Sequence, residues 1–432
     1  MTEDRPMTDV HVPTPTCPAH LYPLLTLFAA HGEHAYPVGG CVRDVLRGTT
    51  PHDWDVAVTT PPDTTVALCE AAGYRVIPTG QKHGTVTVLV PYNGDPHDRD
   101  GGYDPVECTT CRTEGGYSDG RHPDTVSFTD RVEEDLSRRD FTINAMALAR
   151  CEEPNTLTVL DLFGGRRDLE DRVIRCVGDP DTRFIEDALR MLRAVRFAVR
   201  LGFAIESATH TAILRQSEGL ARISRERVGD EFSKILCSDQ PERGVALLSE
   251  LHLLPHVLPA GIDPQGTGCL SALPAIPALR LACLMRHMSP DAIDENITAL
   301  RLPNAVRKDV HTLTNAYRLS VPATPRGARE WRHINGALAV PALLVILAGT
   351  PLETDEHKEA EALLVLTERS EELCEPVDIR DLAVNGHDLM ELGFRPGRLL
   401  QDILCDLLEI VWEHPEKNTH DELIKEAIHR KD

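Results

Sequence analysis

Val38-Gly39-Gly40-Cys41-Val42-Arg43-Asp44, followed nine residues after Asp44 by Asp53-Trp54-Asp55, is the stretch on which the reading of this chain turns. Ala35-Tyr36-Pro37-Val38 has the character of a short apolar strand, Gly39-Gly40 of a tight turn, and residues 41–47 of a short helix closed by Gly48. Glycines at such a turn let the backbone approach a ligand, and the free N–H groups at a helix start attract anions. Arg43, one turn in, adds a fork of donors suited to phosphate. Trp54-Asp55-Val56-Ala57-Val58 reads as a second strand. Residues two apart on a strand share a face, so Asp53 and Asp55 offer paired oxygen ligands to Mg²⁺. Singly, a Gly-Gly turn is most often only a turn, and an Asp-x-Asp only surface acid. In strand, helix, strand order with an arginine between them, they imply metal-assisted triphosphate chemistry.

Around this stretch, residues 21–150 mix short strands with short helices. Residues 84–90 and 106–110 are the clearest strands, while 91–105, with three glycines and four aspartates, reads as a loop, as does 114–124. Beyond residue 150 helical periodicity dominates, with helices expected at 181–201, 207–216, 224–237, 240–251, 272–287, 289–299, 326–338, 356–374, 398–413 and 419–430. The expected fold is an α+β head with a mixed or antiparallel sheet, followed by an all-α remainder, with the boundary near Cys151.

Composition narrows the class. A chain of 432 residues exceeds what one core usually serves, so two to four domains are expected. No apolar run approaches membrane-spanning length, and the first 18 residues lack the basic start and apolar centre of a leader. Residues 1–20 read as a disordered extension. The 12 scattered cysteines suit a reducing cytoplasm. Cys108 and Cys111 form a C-x-x-C with no second pair, and on a strand they face opposite sides, so zinc is not expected. The formal charge of −23 disfavours a simple nucleic-acid binder. Even so, 16 arginines between 138 and 227 leave room for a positive strip on an acidic body.

Two further segments carry chemistry. Arg138-Arg139-Asp140-Phe141-Thr142-Ile143-Asn144 sets arginines suited to triphosphate oxygens beside Asp140 and Asn144, which can hold a ribose hydroxyl. The plain alternative is a helix cap with a solvated arginine pair. In Glu186-Asp187-Ala188-Leu189-Arg190-Met191-Leu192-Arg193, one continuous helix would align Glu186, Arg190 and Arg193, with Asp187 three residues before Arg190. A carboxylate accepts from an exocyclic amine and a guanidinium donates to a ring nitrogen. Cytosine and adenine offer that pattern and uracil and guanine the reverse, so one Asp-Arg pair can discriminate between them. An ordinary surface ion pair is the plain alternative.

These residues resemble the class II nucleotidyltransferases that add CCA to tRNA 3′ ends, a group related to bacterial poly(A) polymerases. Residues 38–59 are similar to the first motif of that family, 138–148 to the second and 186–197 to the nucleotide-templating motif. Supporting similarities run from residue 36 to 430 and are weakest across 265–375. The resemblance implies a nucleotidyltransferase head at 21–150, a helical neck at 151–215 that templates the nucleotide, and a helical body at 216–345 and tail at 346–432 that bind tRNA. It implies Mg²⁺ on Asp53 and Asp55, with Glu107 as a further candidate, and a triphosphate cradled by Gly39, Gly40 and Arg43. Arg139, Asp140 and Asn144 would contact phosphate and sugar, Asp187 and Arg190 would read the base, Glu186 would hold the arginine, and Arg193 completes the set. CTP, ATP and tRNA are the implied partners, with no membrane and no DNA.

Two departures stand out: the 91–105 insert, and Cys111 where the family pattern suggests Phe. The loop from Arg112 to Arg121, containing Glu114, is intact, which speaks against a CC-only enzyme. Alternatives left open are a poly(A) polymerase, an A-adding-only tRNA nucleotidyltransferase and a non-enzymatic RNA-binding protein.

Overall fold

The computed structural model describes residues 16–78, 80–95, 102–115, 125–151 and 156–430. Residues 1–15 of the expected extension, 96–101 of the insert, and Arg121 lie outside them. The chain divides into two compact units: one of residues 1–224 with 251–253, and one of residues 225–250 with 254–432.

The first unit opens with α1 (Leu21–Ala30), β1 (Ala35–Pro37), α2 (Gly40–Leu46), β2 (Asp55–Val58), α3 (Pro62–Ala71), β3 (Arg75–Ile77), β4 (Thr85–Pro91) and β5 (Tyr103–Thr110). The strands form a sheet in the order β1-β2-β5-β4-β3, in which only β2 and β5 run parallel. Alternation seats Val56, Val58, Val86, Val88, Val90 and Val106 in a core with Leu21, Leu24, Leu25 and Phe28 of α1. A hairpin of β6 (Arg112–Gly115) and β7 (Thr125–Phe128) leads to α4 (Val132–Ser137). Cys108 and Cys111 enter two different core clusters, as opposite faces of one extended segment must.

Strands do not stop at the expected boundary. Residue 151 falls inside the hairpin of β8 (Met146–Arg150) and β9 (Leu157–Asp161). After α5 (Gly165–Glu170) and β10 (Val173–Ile174) come α6 (Pro180–Glu186), α7 (Leu189–Leu201), β11 (Ala204–Ile205), which pairs with β10, and α8 (Ser207–Gln216). The helix expected over 181–201 is therefore two helices. Asp187 between them is extended, at φ −145° and ψ 100°, and its Oδ1 accepts from the Leu189 amide at 3.0 Å. Aspartate readily leaves a helix to bond nearby amides.

The second unit contains only helices among the described residues: α9 (Arg225–Leu236), α10 (Pro241–Glu250), α11 (Leu254–Val257), a 3₁₀ stretch (Pro264–Ala272), α12 (Pro277–Met285), α13 (Pro290–Leu300), α14 (Asn304–Ala316), α15 (Pro325–Asn335), α16 (Ala339–Gly349), α17 (Asp355–Glu372), α18 (Gly386–Glu391), α19 (Arg398–Glu413) and α20 (His420–Ile428). Of these, α11, α14, α16 and α18 were not expected. The α16 sequence, AVPALLVILAG, is apolar all round and offers no stripe at the helical period. Contrary to expectation, one helical run, Pro325–Gly349, holds an 18-residue window of mean hydropathy 1.5, apolar enough by composition alone to cross a membrane. It breaks at Gly336 between α15 and α16, and Trp331, Ala339, Ala342, Leu343 and Val345 along it are buried in the helical unit.

Candidate active site

The glycine turn lies between two strands. The Val38 amide donates to the Asp55 carbonyl at 2.9 Å and the Gly39 amide to the Met146 carbonyl at 3.2 Å, so the start of α2 stands beside the start of β2. Gly39 sits at φ +78°, and a Cβ there would come within 2.8 Å of Arg139 Nη1. The positive φ strains any side chain there, and one would also have to displace the arginine tip lying over it. A Cβ at Gly40 would make only ordinary contact, 3.6 Å from Arg43 Nη2, so internal packing does not demand that glycine.

Asp55 begins β2 and Asp53 precedes the strand, both exposed, with Asp53 Oδ1 2.9 Å from His52 Nδ1. The parallel register sets Asp55 opposite Glu107 of β5, so their side chains leave the same face of the sheet. Asp55 is pushed above the ordinary carboxyl range, first by partial desolvation, then by repulsion from Glu107, against the pull of Arg139 and with a further push from Asp53. Such crowding of anions is what a divalent cation relieves. Among the described residues no three His, Cys, Asp or Glu side chains form a ready-made metal cage. Two carboxylates suffice where substrate phosphates and water supply the remaining oxygens.

The arginines are anchored from within. Arg43, only 4% exposed, donates through Nε and Nη2 to Asp44 at 2.9 and 3.0 Å and through Nη1 to Asn144 Oδ1 at 2.7 Å. Its edges are therefore taken by protein oxygens, and in this structure it braces the turn instead of presenting an open phosphate fork. Asn144 is accordingly a partner of Arg43 and of Asp140, 3.3 Å from its Nδ2. Asp140 accepts from Arg193 Nε at 2.7 Å and from the Phe141 amide at 2.8 Å. Burial pushes its carboxyl up, but Arg193, then Arg190, and the Asn144 amide bring it below the ordinary range.

Sequence spacing had set Glu186, Arg190 and Arg193 on one helix. The structure instead ties Glu186, at the end of α6, to Arg190 in the first turn of α7 by a 2.7 Å ion pair across the break, while Arg193 turns to Asp140. Arg190 Nη2 also donates to the Arg138 carbonyl at 3.1 Å. The Arg190 amide bonds the Asp187 carbonyl at 3.0 Å. Glu114 on β6 accepts from Arg112 at 2.9 Å and Arg138 at 2.8 Å, joining the hairpin to the second motif.

Two residues of the site were not anticipated. Asp135 on α4, 1% exposed, accepts from Arg138 Nε at 3.0 Å and Arg139 Nη2 at 3.1 Å. Its spacing of three and four residues from two arginines was the available signal. Phe197 on α7 carries the guanidinium carbons of Arg43, Arg193 and Arg196 at 5.5, 5.4 and 4.4 Å from its ring centroid.

Paired carboxylates at the start of an inner strand, beside a glycine turn and an arginine layer, define a nucleotidyltransferase site. Residues 35–175 match the family described as the poly A polymerase head domain, 202–262 that described as a probable RNA- and SrmB-binding site of polymerase A, and 278–427 a putative tRNA nucleotidyltransferase domain 2. The chain is 33% identical over 410 residues to the CCA-adding enzyme of Limosilactobacillus fermentum, covering 94% of this chain and 95% of the relative. It is 35% identical over 413 residues to that of Lactiplantibacillus plantarum, covering 93% and 94%. A crystal structure of the Bacillus stearothermophilus CCA-adding enzyme in complex with CTP superimposes with a TM-score of 0.77 at 29% identity, covering 95% of this chain and 97% of that one. The chain belongs to the CCA-adding enzyme family, and membership implies a divalent metal ion.

Proposed function

We propose that this protein completes the 3′ end of tRNA, transferring CMP and AMP from CTP and ATP to the terminal hydroxyl with release of pyrophosphate, in the cytoplasm. The observation that carries this reading is the full-length similarity to CCA-adding enzymes across 94% of the chain, with Asp53-x-Asp55 beside the Gly39-Gly40 turn.

Asp53 and Asp55 would hold Mg²⁺, with Glu107 adding negative charge on the same face. When bound, the metal lowers the pKa of the attacking hydroxyl and neutralises the leaving pyrophosphate. Gly39, Gly40 and the start of α2 receive phosphate oxygens, with Arg139 alongside and Arg43 bracing the turn. Asp140 and Asn144 fix Arg193 and Arg43 at the sugar side. Arg190, held by Glu186, and Asp187 present donors and an acceptor to the base edge. The catalytic head in this scheme runs through the β8–β9 hairpin, and α6 and α7 form the templating neck. Residues 216–345 and 346–432 serve the tRNA, recognised by shape. The head match to poly(A) polymerases supplies the second reading.

Extension of a tRNA transcript lacking its last three nucleotides, with Mg²⁺ and CTP alone, ATP alone or both, tests the proposal. Two C residues with CTP and a complete CCA with both are expected. Long A tracts on unstructured RNA would establish the polymerase, A addition confined to transcripts ending in CC an A-adding enzyme, and no incorporation a binding protein.

A further inference from the structure

In the helical unit, two cysteines 14 positions apart face each other. Cys269, in the 3₁₀ stretch, and Cys283, in α12, place their sulfurs 3.2 Å apart. Arg286 Nη1 stands 3.3 Å from both sulfurs, and its Nη2 donates to the Gln265 carbonyl at 3.0 Å. The guanidinium is locked in place. Gly349 of α16 lies so close that a Cβ there would sit 2.8 Å from Nη1, and the Tyr317 ring stands 5.8 Å from its central carbon. Cys269 is partly exposed and Cys283 is buried. The two sulfurs thus differ in access while sharing one fixed cation.

The cation and the neighbouring thiol also divide the protonation. The Cys283 S–H bond, opposed by desolvation, and then Arg286 hold the Cys269 thiol below the usual range despite Glu242 nearby, while its partner and burial push Cys283 up. A thiolate that is partly open and beside a fixed arginine is the form that reacts with oxidants. A second thiol in contact is what resolves the product.

We propose that Cys269 and Cys283 form an oxidisable dithiol, in which Cys269 reacts with a hydroperoxide and Cys283 closes a reversible disulfide. The Cys269 thiolate attacks the terminal peroxide oxygen, breaking the O–O bond, to give a sulfenic acid and an alkoxide, or hydroxide where the oxidant is hydrogen peroxide. The Cys283 sulfur then attacks the Cys269 sulfur, the S–OH bond breaks, and the hydroxyl leaves as water with the Cys283 proton. Two electrons pass from the sulfur pair to the peroxide. The two sulfurs stand 3.2 Å apart, against about 2.0 Å in a disulfide. In a reducing compartment such a bond would be transient.

The test is brief treatment of the full chain with substoichiometric hydrogen peroxide, followed by alkylation, digestion and mass spectrometry, with and without dithiothreitol. The expected result is a peptide pair linked through Cys269 and Cys283, formed before oxidation of the exposed Cys374 and Cys405 and reversed by reductant. Cys283→Ser, a near-isosteric change, is expected to leave a dimedone-reactive sulfenic acid on Cys269. Oxidation of Cys374 or Cys405 first, or a Cys283→Ser variant whose Cys269 stays unmodified, would overturn the proposal.

Discussion

Asp55 and Asp135 are aspartates of the same compact unit in opposite electrostatic surroundings. Asp55 is exposed, faces Glu107 across a parallel strand pair, and its carboxyl is pushed up. Asp135 is buried between Arg138 and Arg139. Burial alone would push it up, but the two guanidiniums bring it below the ordinary range. One carboxylate is left wanting a cation and the other is supplied with two. The difference separates a group kept for a ligand from a group that builds the frame around it.

The largest effect that sharpens this contrast is on incorporation. Asp55→Asn keeps the shape and removes the charge, and nucleotide addition is expected to fall roughly 10³-fold, as loss of several kcal/mol of metal-borne stabilisation requires. Single-turnover extension measures it, and tRNA affinity should change little; retention of near-normal rates would remove Asp55 from the metal site. Next in size, Asp135→Ala leaves two inward-facing guanidiniums without their shared partner. A loss of about 3 kcal/mol in unfolding free energy is expected from urea titration. A shift within error would show that water replaces Asp135 at no cost.

The smallest effect has the opposite sign. Because the folded pKa of Asp55 is raised, its contribution to stability is present in full below the ordinary aspartate range and is lost as pH rises through the raised value. That of Asp135, whose pKa is lowered, is present above the ordinary range and is lost as pH falls through its depressed value. In chelator at neutral pH, Asp55→Asn should therefore melt at or slightly above the parent, by well under about 1 kcal/mol since the group is exposed and screened. A clear drop in the melting midpoint would place Asp55 with Asp135 in the frame.

The parts of this site that the sequence made legible are those set by local geometry. Gly39-Gly40 follows β1 and Asp55 begins β2, two short strands whose antiparallel pairing brings the turn beside Asp55, with Asp53 just before the strand. The Glu186–Arg190 pair was legible as chemistry but not as geometry. A continuous helix was the natural reading of residues 181–201, and only the extended Asp187, bonding the Leu189 amide, shows that the pair bridges a joint. Arg43 was legible as a cation near phosphate. Its bond to Asn144, 101 positions away, depends on tertiary packing that no local pattern encodes. In the helical unit α14 escaped for a different reason: NAVRKDVHTLTNA mixes β-branched and polar residues, and its buried side is set by neighbours.

Phe197 has a consequence for a chain with 68 acidic and 45 basic side chains. A carboxylate that gathers arginines also cancels them. The phenyl ring of Phe197 draws Arg43, Arg193 and Arg196 together with the electron density of its face and contributes no charge of its own. It acts as a counterion without a charge. Arg43 and Arg193 are already matched by Asp44 and Asp140, so the ring gathers the three guanidiniums without placing a further negative charge beside them.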